Sequence, residues 1–258
     1  MIRVNDNGLT YYRFELEPLQ RLAHGVFTRR GGVSLPPLDG LNLAFLPGDS
    51  EESVRFNLDL AAQALGLQHL AFARQVHGDQ ALVVRAGDGY RPRRAEEVVP
   101  GYDALITPDP GIGLLVKLAD CQGVILFDTR NGVVAVVHAG WRGSVKNVLG
   151  RTVTRLETEF GCRPADLAAG IGPSLGPCCA EFVNYRRELP PDFWSYRSGD
   201  HFDFWSISRD QLVASGLKPE NIEIAGLCTK CGADGEFYSY RREKETGRFG
   251  LIAGRLGD

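Results

Sequence analysis

The chain has 258 residues, of which 43% are hydrophobic and 24% charged, and this ordinary globular usage excludes the disordered, fibrous and coiled-coil classes. The formal net charge of −3 gives no general attraction for nucleic acid, and no apolar run approaches the roughly 18 residues that a membrane-spanning helix needs. Residues 1–12 lack the basic and apolar stretches of a signal peptide. We therefore expect one globular domain over residues 1–258, located in the cytoplasm, with no nucleic-acid or membrane partner; the oligomeric state stays open.

Counts of three residue types bear on metal and anion chemistry. The single Met is Met1 and there are five His, which is too few for a multicopper electron-transfer enzyme with its many imidazoles and frequent axial thioether. Only five of the 29 basic residues are Lys. The resulting excess of Arg suits phosphate or carboxylate recognition, although a bias in nucleotide composition is the simpler explanation.

The first half of the chain predicts a strand at residues 25–28, a long helix, and then a series of short strands. The helix is capped by Ser50, carries Glu51 and Glu52 in its first turn, and stops at Gly66. The predicted strands are 71–76, 81–85, 104–107, 113–118, 124–127 and 133–137, and residues 91–97 form a loop. Several of these runs are continuously apolar, which indicates strands buried on both faces.

The second half predicts a helix over residues 145–160, capped by Ser144 and ended by Gly161. After it come a strand at 168–171, a turn-rich stretch at 172–177, helices at 180–188 and 207–214, and a strand at 222–225. Strands and helices interleave irregularly and not as clean strand–helix–strand units. The prediction is an α+β fold of layered mixed β-sheets covered by helices, in a single compact domain.

Three segments place reactive side chains where predicted strands end: residues 75–78, 119–122 and 138–143. Two imidazoles, His77 and His138, and one thiol, Cys121, form a three-ligand set that suits a catalytic zinc with its fourth position open. Their separations are long, so spacing alone is unspecific. The alternative is two hydrogen-bonded core histidines and one buried thiol.

Two further segments predict anion binding. Gly140 and Gly143 flank Trp141 and Arg142 just before the predicted helix, where free backbone N–H groups and a guanidinium favour an anion. Trp141 could stack on a ring or fill core space. Arg29 and Arg30, in the loop at residues 28–32, could approach a phosphate or belong to a solvated turn.

Cys228 and Cys231 form a lone C-x-x-C motif. It could be half of a zinc site with Cys178 and Cys179, or a redox pair. Because no second C-x-x-C occurs, structural or incidental thiols are the favoured interpretation.

Motifs that run in order from residue 28 to residue 248 resemble the laccase-domain family, also called the polyphenol oxidase-like or peptidoglycan editing factor family. The most specific are H-A-G-W-R-G at 138–143 and I-G-P-S-L-G-P-C-C at 171–179. The other matching pieces are residues 28–34, 41–43, 75–78, 103–107, 119–121, 227–229 and 237–242.

This resemblance implies a zinc ion bound by His77, Cys121 and His138, and an α+β fold of layered sheets like that of bacterial deamidating toxins. It also implies a purine nucleoside phosphorylase with adenosine deaminase as a side activity, acting on adenosine, inosine or methylthioadenosine with phosphate. On this interpretation Asp120 and Arg142 are catalytic. The groups that bind substrate and phosphate are Arg29, Arg30, Trp141 and Arg242.

Three alternatives remain. A cysteine hydrolase or amidase would use Cys121 as nucleophile and His138 as base on an amide such as a cell-wall precursor. A copper-dependent polyphenol oxidase, an oxidoreductase, conflicts with the Met and His counts. A non-catalytic binding protein would have no open metal position.

The chain departs from the family pattern on both sides of Cys121. Leu118 stands where the family commonly has Thr, and Gln122 and Gly123 stand where it commonly has Leu-Pro. These departures leave the ligand set intact but leave the shape of the pocket, and hence the substrate preference, open.

Overall fold

The computed structural model describes residues 1–257, which form strands and α-helices joined by long loops at residues 28–50 and 172–184. In chain order, the strands are β1 (Ile2–Asp6), β2 (Leu9–Arg13), β3 (Ala23–Phe27), β4 (His69–Ala71), β5 (Ala81–Val83), β6 (Ala104–Thr107), β7 (Ile112–Leu118), β8 (Gln122–Asp128), β9 (Val133–Ala139), β10 (Leu167–Ile171), β11 (Arg197–Ser198), β12 (His201–Phe202), β13 (Ile222–Ile224) and β14 (Phe249–Gly254). The α-helices are α1 (Glu17–Gln20), α2 (Glu51–Ala64), α3 (Trp141–Val145), α4 (Val148–Phe160), α5 (Tyr185–Glu188), α6 (Phe204–Ala214) and α7 (Tyr240–Glu243).

Two mixed six-stranded sheets form the centre of the molecule. The first sheet has the order β1-β2-β3-β14-β7-β4, and the second has the order β13-β10-β8-β9-β6-β5. Parallel pairs lie at the edges, β4 with β7 in the first sheet and β5 with β6 and β10 with β13 in the second, while the other pairs are antiparallel. The predicted α+β fold of mixed sheets is confirmed.

The two sheets pack face to face, and helices cover their outer faces. Val116 of the first sheet and Val136 of the second belong to one fully buried cluster between the sheets. The outer face of the second sheet packs against α4 and α6, and the outer face of the first against α2. The central strands are therefore buried on both faces, which explains why their sequences are continuously apolar.

The predicted helix over residues 145–160 is wrong at its start. The chain forms two helices, α3 and α4, separated at Asn147, whose φ is +55° and whose side chain accepts a hydrogen bond from Gly150 N at 3.1 Å. Asn tolerates the left-handed conformation and is a strong cap, so α4 begins there, and Ser144 lies inside α3. The cap predicted at Ser50 is confirmed, because its hydroxyl accepts from Ser53 N at 3.0 Å.

The predicted strand at residues 71–76 is also wrong, because β4 ends at Ala71. Beyond β4, the side-chain amide of Gln75 forms the hydrogen bonds to β7 that a neighbouring strand would otherwise form. Its Nε2 donates to Lys117 O at 2.8 Å, and its Oε1 accepts from Lys117 N at 2.9 Å. His77 consequently lies in a loop and does not close a strand.

The remaining differences concern the ends of elements. The helix predicted at 180–188 is reduced to α5, and the helix predicted at 207–214 begins earlier, at Phe204, where Asp203 caps it. Residues 95–97 of the predicted loop form a short 3-10 turn. Across residues 1–257, no helix combines the length and the apolar character needed to cross a membrane.

Candidate metal centre

Cys121 lies at the corner where the chain passes from one sheet to the other. β7 belongs to the first sheet and β8 to the second, and residues 119–121 make the connection. The corner needs a left-handed residue, and Asp120 has a φ of +89°. β9 pairs with β8 so that His138 lies opposite Gly123. The sheet register therefore brings His138 close to Cys121.

His77 reaches the same place from a loop that a single carboxylate organises. Asp103 accepts hydrogen bonds from the backbone N–H groups of Val76, His77 and Gly78 at 3.1, 2.9 and 2.6 Å. These bonds stabilise the loop although His77 has a φ of +56°. Asp103 directly precedes β6, which pairs with β9, and its carbonyl accepts from His138 N at 2.7 Å.

The three predicted ligands meet. The ligand atoms of His77, Cys121 and His138 all lie within 4.8 Å of one another, and Cys121 Sγ is 3.8 Å from His77 Nε2. A Cβ at Gly140 would lie 2.8 Å from His77 Cδ2 and 2.9 Å from Cys121 Sγ, so any other residue there would crowd the donors. Two imidazole nitrogens and one thiolate sulfur are a donor set that fits a single zinc or copper ion.

Without a metal, Cys121 and His138 form a thiolate–imidazolium pair, and a metal ion must displace the imidazole proton in order to bind. Burial raises the pKa of Cys121, but the neighbouring His138 and His77 outweigh it and lower that pKa to about 6. Burial lowers the pKa of His138, but Cys121 and Asp103 outweigh it and raise that pKa to about 9. The thiol is thus held as thiolate near neutral pH, which is the form that binds metal or attacks carbon.

Asp103 is a site residue for which the sequence predicted no role. Its Oδ1 lies 2.7 Å from His138 Nδ1, which leaves Nε2 of that ring free to face Cys121. A carboxylate behind a metal-binding histidine fixes the ring and makes it a stronger ligand. The signal in the sequence was an acidic residue at the start of a predicted strand, but only the pairing of β6 with β9 links it to His138.

The carboxylate of Asp120 ties the corner to two other segments. Thr229 Oγ1 donates to it at 2.7 Å and Arg241 N donates at 2.6 Å. Both oxygens are therefore engaged as acceptors one residue before Cys121. These contacts favour a positioning role, and a catalytic role for Asp120 stays a prediction.

Trp141 and Arg142 begin α3, directly after Gly140. The Trp141 ring packs edge-on against Phe182 at 6.0 Å, and the guanidinium of Arg142 stacks 4.2 Å above the Trp141 ring. Arg142 is exposed, and within residues 1–257 no carboxylate lies at ion-pair distance from it. Its guanidinium is thus available to an anion, and phosphate binding by it stays a prediction.

The other three predicted phosphate ligands are engaged within the protein. Arg29 pairs with Glu243 at 2.8 Å and Asp39 at 3.0 Å, and Arg30 pairs with Glu236 at 3.2 Å. Both line a surface cavity of about 580 Å³ to which none of the three metal ligands contributes.

Arg242 donates to Phe237 O at 2.6 Å, to Thr229 O at 2.9 Å and to the carboxylate of Glu243. These contacts give Arg242 an evident structural task, since they fasten three segments together. Phosphate binding by Arg29, Arg30 and Arg242 stays a prediction.

Comparisons with known proteins agree over nearly the whole chain. The family described as "Multi-copper polyphenol oxidoreductase laccase" matches residues 23–255. A relative from Bacteroides thetaiotaomicron named purine nucleoside phosphorylase is 32% identical over 256 residues, covering 93% of this chain and 92% of the relative. A purine nucleoside phosphorylase from Xylella fastidiosa is 36% identical over 241 residues, covering 88% and 90%.

The fold is also shared with a solved structure. The crystal structure of YlmD from Geobacillus stearothermophilus superposes with a TM-score of 0.89 at 30% sequence identity, and the match covers 99% of both chains.

Proposed function

This chain belongs to the family described as multi-copper polyphenol oxidoreductase laccase, and we propose that within this family it is a zinc-dependent purine nucleoside phosphorylase. Its substrates would be phosphate and adenosine, inosine or methylthioadenosine, with adenosine deamination as a side activity. One observation carries the proposal: His77, Cys121 and His138 converge beside Gly140, and the exposed Arg142 lies two residues further on. Relatives named purine nucleoside phosphorylase support it.

The choice of zinc depends on the number and kind of donors. Three protein ligands leave one coordination position for a substrate atom, as in catalytic zinc sites. A multicopper oxidase needs several imidazole-rich sites, whereas the chain has five His in all. When bound, zinc would supply a Lewis acid that polarises a substrate oxygen or activates water for the deaminase side reaction.

The residues around the centre have separable tasks in phosphorolysis, in which phosphate attacks C1′ of the ribose and the purine base leaves. Arg142 would hold the phosphate, and the ring of Trp141 would support the substrate. Asp103 would keep the His138 ring in place through Nδ1. Asp120 would hold the corner that presents Cys121. The protein would act in the cytoplasm, where its six free thiols stay reduced.

Product analysis tests the proposal. Pure protein is incubated with adenosine, with and without phosphate, and adenine, ribose 1-phosphate and inosine are measured. We expect adenine and ribose 1-phosphate only when phosphate is present, and a slower appearance of inosine in both cases. The matched control is Cys162→Ser, since Cys162 is a buried thiol outside the centre. Zinc-loaded protein that releases no base from any of the three nucleosides would refute the proposal.

One feature of the site favours a second function, a cysteine hydrolase. Cys121, His138 and Asp103 form a thiol–imidazole–carboxylate series, and the lowered pKa of Cys121 is typical of a nucleophilic thiolate. Removal of metal separates the two functions, because a metal-bound thiolate is not free to attack. A hydrolase would gain or keep amidase activity after chelation, whereas a zinc-dependent phosphorylase would lose its activity.

A further inference from the structure

A second group of potential metal ligands lies outside the centre described above. Cys178, Cys179, Cys228 and Cys231 form a four-cysteine cluster in which all four sulfur atoms lie within 4.8 Å of one another. Cys178 Sγ and Cys231 Sγ are 3.3 Å apart. A zinc ion with Zn–S distances of about 2.3 Å in a tetrahedron requires sulfur–sulfur distances of roughly 3.8 Å. The cluster therefore has the size of a single-ion site.

The backbone holds the two halves of this cluster together without help from a metal. Residues 172–177 continue from β10, and residues 225–229 continue from β13, its parallel partner. A bridge joins Ser174 to Cys228, with Ser174 N donating to Leu227 O at 3.1 Å and Thr229 N donating to Ser174 O at 3.0 Å. The cysteines at 178–179 and 228–231 follow directly, so the sheet delivers them to one place.

The turn from Cys228 to Cys231 has the shape of a metal-binding C-x-x-C turn. Gly232 N donates to Cys228 O at 2.9 Å, and a Cβ at Gly232 would lie only 2.8 Å from that oxygen. Gly176 N points at Cys228 Sγ from 3.4 Å. Burial raises the pKa of Cys228, but backbone N–H groups of Cys231, Gly176 and Lys230 outweigh it and lower that pKa to about 7. Backbone donors to sulfur stabilise a thiolate ligand.

Cys178 and Cys179 are protonated, and a cation is needed before all four thiols of the cluster can ionise. Burial and hydrogen bonds from the neighbouring thiols raise the pKa of Cys178, and the same causes raise that of Cys179 to about 11. Four adjacent thiolates repel one another, so the cluster can carry four negative charges only around a cation. Iron–sulfur clusters place several irons between their cysteines and need wider spacing than this.

We infer that Cys178, Cys179, Cys228 and Cys231 bind one structural zinc ion, separate from the catalytic centre. Four protein sulfurs complete a tetrahedron and leave no position for substrate, which is the pattern of a structural site. Binding converts the remaining thiols to thiolates and releases their protons to solvent. No electron transfer is involved.

The four-cysteine cluster lies next to the corner that carries Cys121, so a zinc ion there would stabilise that corner. Thr229, between Cys228 and Cys231, donates to the carboxylate of Asp120, and Leu175 N donates to Asp120 O at 2.8 Å. Both segments that carry the cysteines thus contact the residue before Cys121. A zinc ion that clamps these segments would hold the corner at which the catalytic ligand sits.

Metal analysis of the full chain tests the assignment. Zinc-loaded protein is compared with the double variant Cys178→Ser/Cys231→Ser, with Cys121→Ser, and with Cys162→Ser as the control for loss of an unrelated buried thiol. We expect the double variant to lose one zinc per chain relative to the wild type and the control to lose none. An unchanged zinc content in the double variant would overturn the assignment.

Cobalt substitution provides a readout that needs neither turnover nor folding of the double variant. In Cys121→Ser protein loaded with Co²⁺, a tetrathiolate site gives intense ligand-field bands at longer wavelength than a site with two imidazoles. We expect this spectrum, and four sulfurs at about 2.3 Å around zinc by X-ray absorption. A Cys178–Cys231 disulfide, or absence of the tetrathiolate spectrum, would overturn the assignment. Neither readout depends on phosphorolysis, so this site and the proposed activity can fail separately.

Discussion

His24 in the first sheet and His138 in the second are equally hidden from solvent, yet their charges differ. Their exposed fractions are 0% and 3%. Burial lowers the pKa of His24 from 6.5 to about 4, and Phe14 N donates to its Nε2 at 2.9 Å, so His24 is a neutral acceptor within the fold. His138 faces a thiol and a carboxylate, which raise its pKa to about 9.

The difference shows that burial by itself does not mark a functional histidine. A buried imidazole loses its charge unless opposite charges are placed beside it. Glu223 has the smallest influence on the pKa of His24, and Arg13 opposes it. A thiolate and a carboxylate both lie beside His138, and the fold directs a second imidazole, His77, toward the same thiol. The groups that contact each imidazole ring, and not its burial, therefore distinguish a core histidine from a site histidine.

The largest effect should come from removing the thiolate that faces His138. Cys121→Ser should lower nucleoside turnover by more than about 100-fold, beyond the loss caused by an outer partner of a ligand, because a hydroxyl binds zinc poorly. Bound zinc should fall in parallel. In metal-free Cys121→Ser protein, the pKa of His138, followed by NMR, should be lower than in the metal-free wild type and closer to that of His24. A zinc-replete but inactive variant would instead favour the cysteine hydrolase.

Acid should destabilise the protein through His24. Its folded pKa, about 4, lies below the unfolded 6.5, so its contribution is complete above pH 6.5 and is lost as the pH falls toward 4. The shift corresponds to at most roughly 3 kcal/mol of unfolding free energy. His24→Gln, which can still accept from Phe14 N, should flatten the dependence between pH 6.5 and 4 in denaturant titrations. The control His201→Gln should keep the wild-type slope. If the unfolding free energies of His24→Gln and the wild type change with pH in parallel, His24 does not cause the acid destabilisation.

Neutralising the carboxylate behind His138 should have a somewhat smaller effect. Asp103→Asn keeps one oxygen acceptor for the backbone of residues 76–78, replaces the other by an amide NH2 group, and removes the charge that orients and strengthens His138. We expect metal affinity or activity to fall about 10–100-fold. Asp109→Asn is the matched control, because Asp109 also accepts a backbone N–H, from Ala86, away from the centre. If zinc titrations give the same affinity for the two variants, Asp103 does not contribute to metal binding.

The smallest effect concerns phosphate. Arg142→Ala should remove a charge-assisted contact, on the order of 1.5–3 kcal/mol, and raise the phosphate KM roughly tenfold or more without changing zinc content. Arg142→Lys should recover only part of this, because lysine lacks the bidentate fork.

The matched control for this prediction is Arg186→Ala. Arg186 also lies over the ring of the preceding aromatic residue, Tyr185, but outside the centre. Phosphorolysis measured across phosphate concentrations distinguishes the variants. An unchanged phosphate dependence together with a lower melting temperature would show that Arg142 only supports the fold.

The amino-acid sequence was enough to predict the fold class and three candidate metal ligands. Continuously apolar runs predicted doubly buried strands, since burial on both faces requires apolar residues at every position. Ser50 predicted the start of α2, because a cap acts over three residues. His77, Cys121 and His138 were identifiable by ligand type and by motif. Their chemistry is local to each side chain, and so it can be predicted without a structure.

The surroundings of those three residues depend on tertiary contacts. Asp103 acts on His138 because β6 pairs with β9, and His77 reaches the centre because Asp103 and Gln75 hold its loop. The four-cysteine cluster exists because β10 and β13 are parallel neighbours. Strand pairing joins residues 35 to more than 50 positions apart. Propensities, caps and hydrophobic periodicity act over a few residues and carry no information at that range.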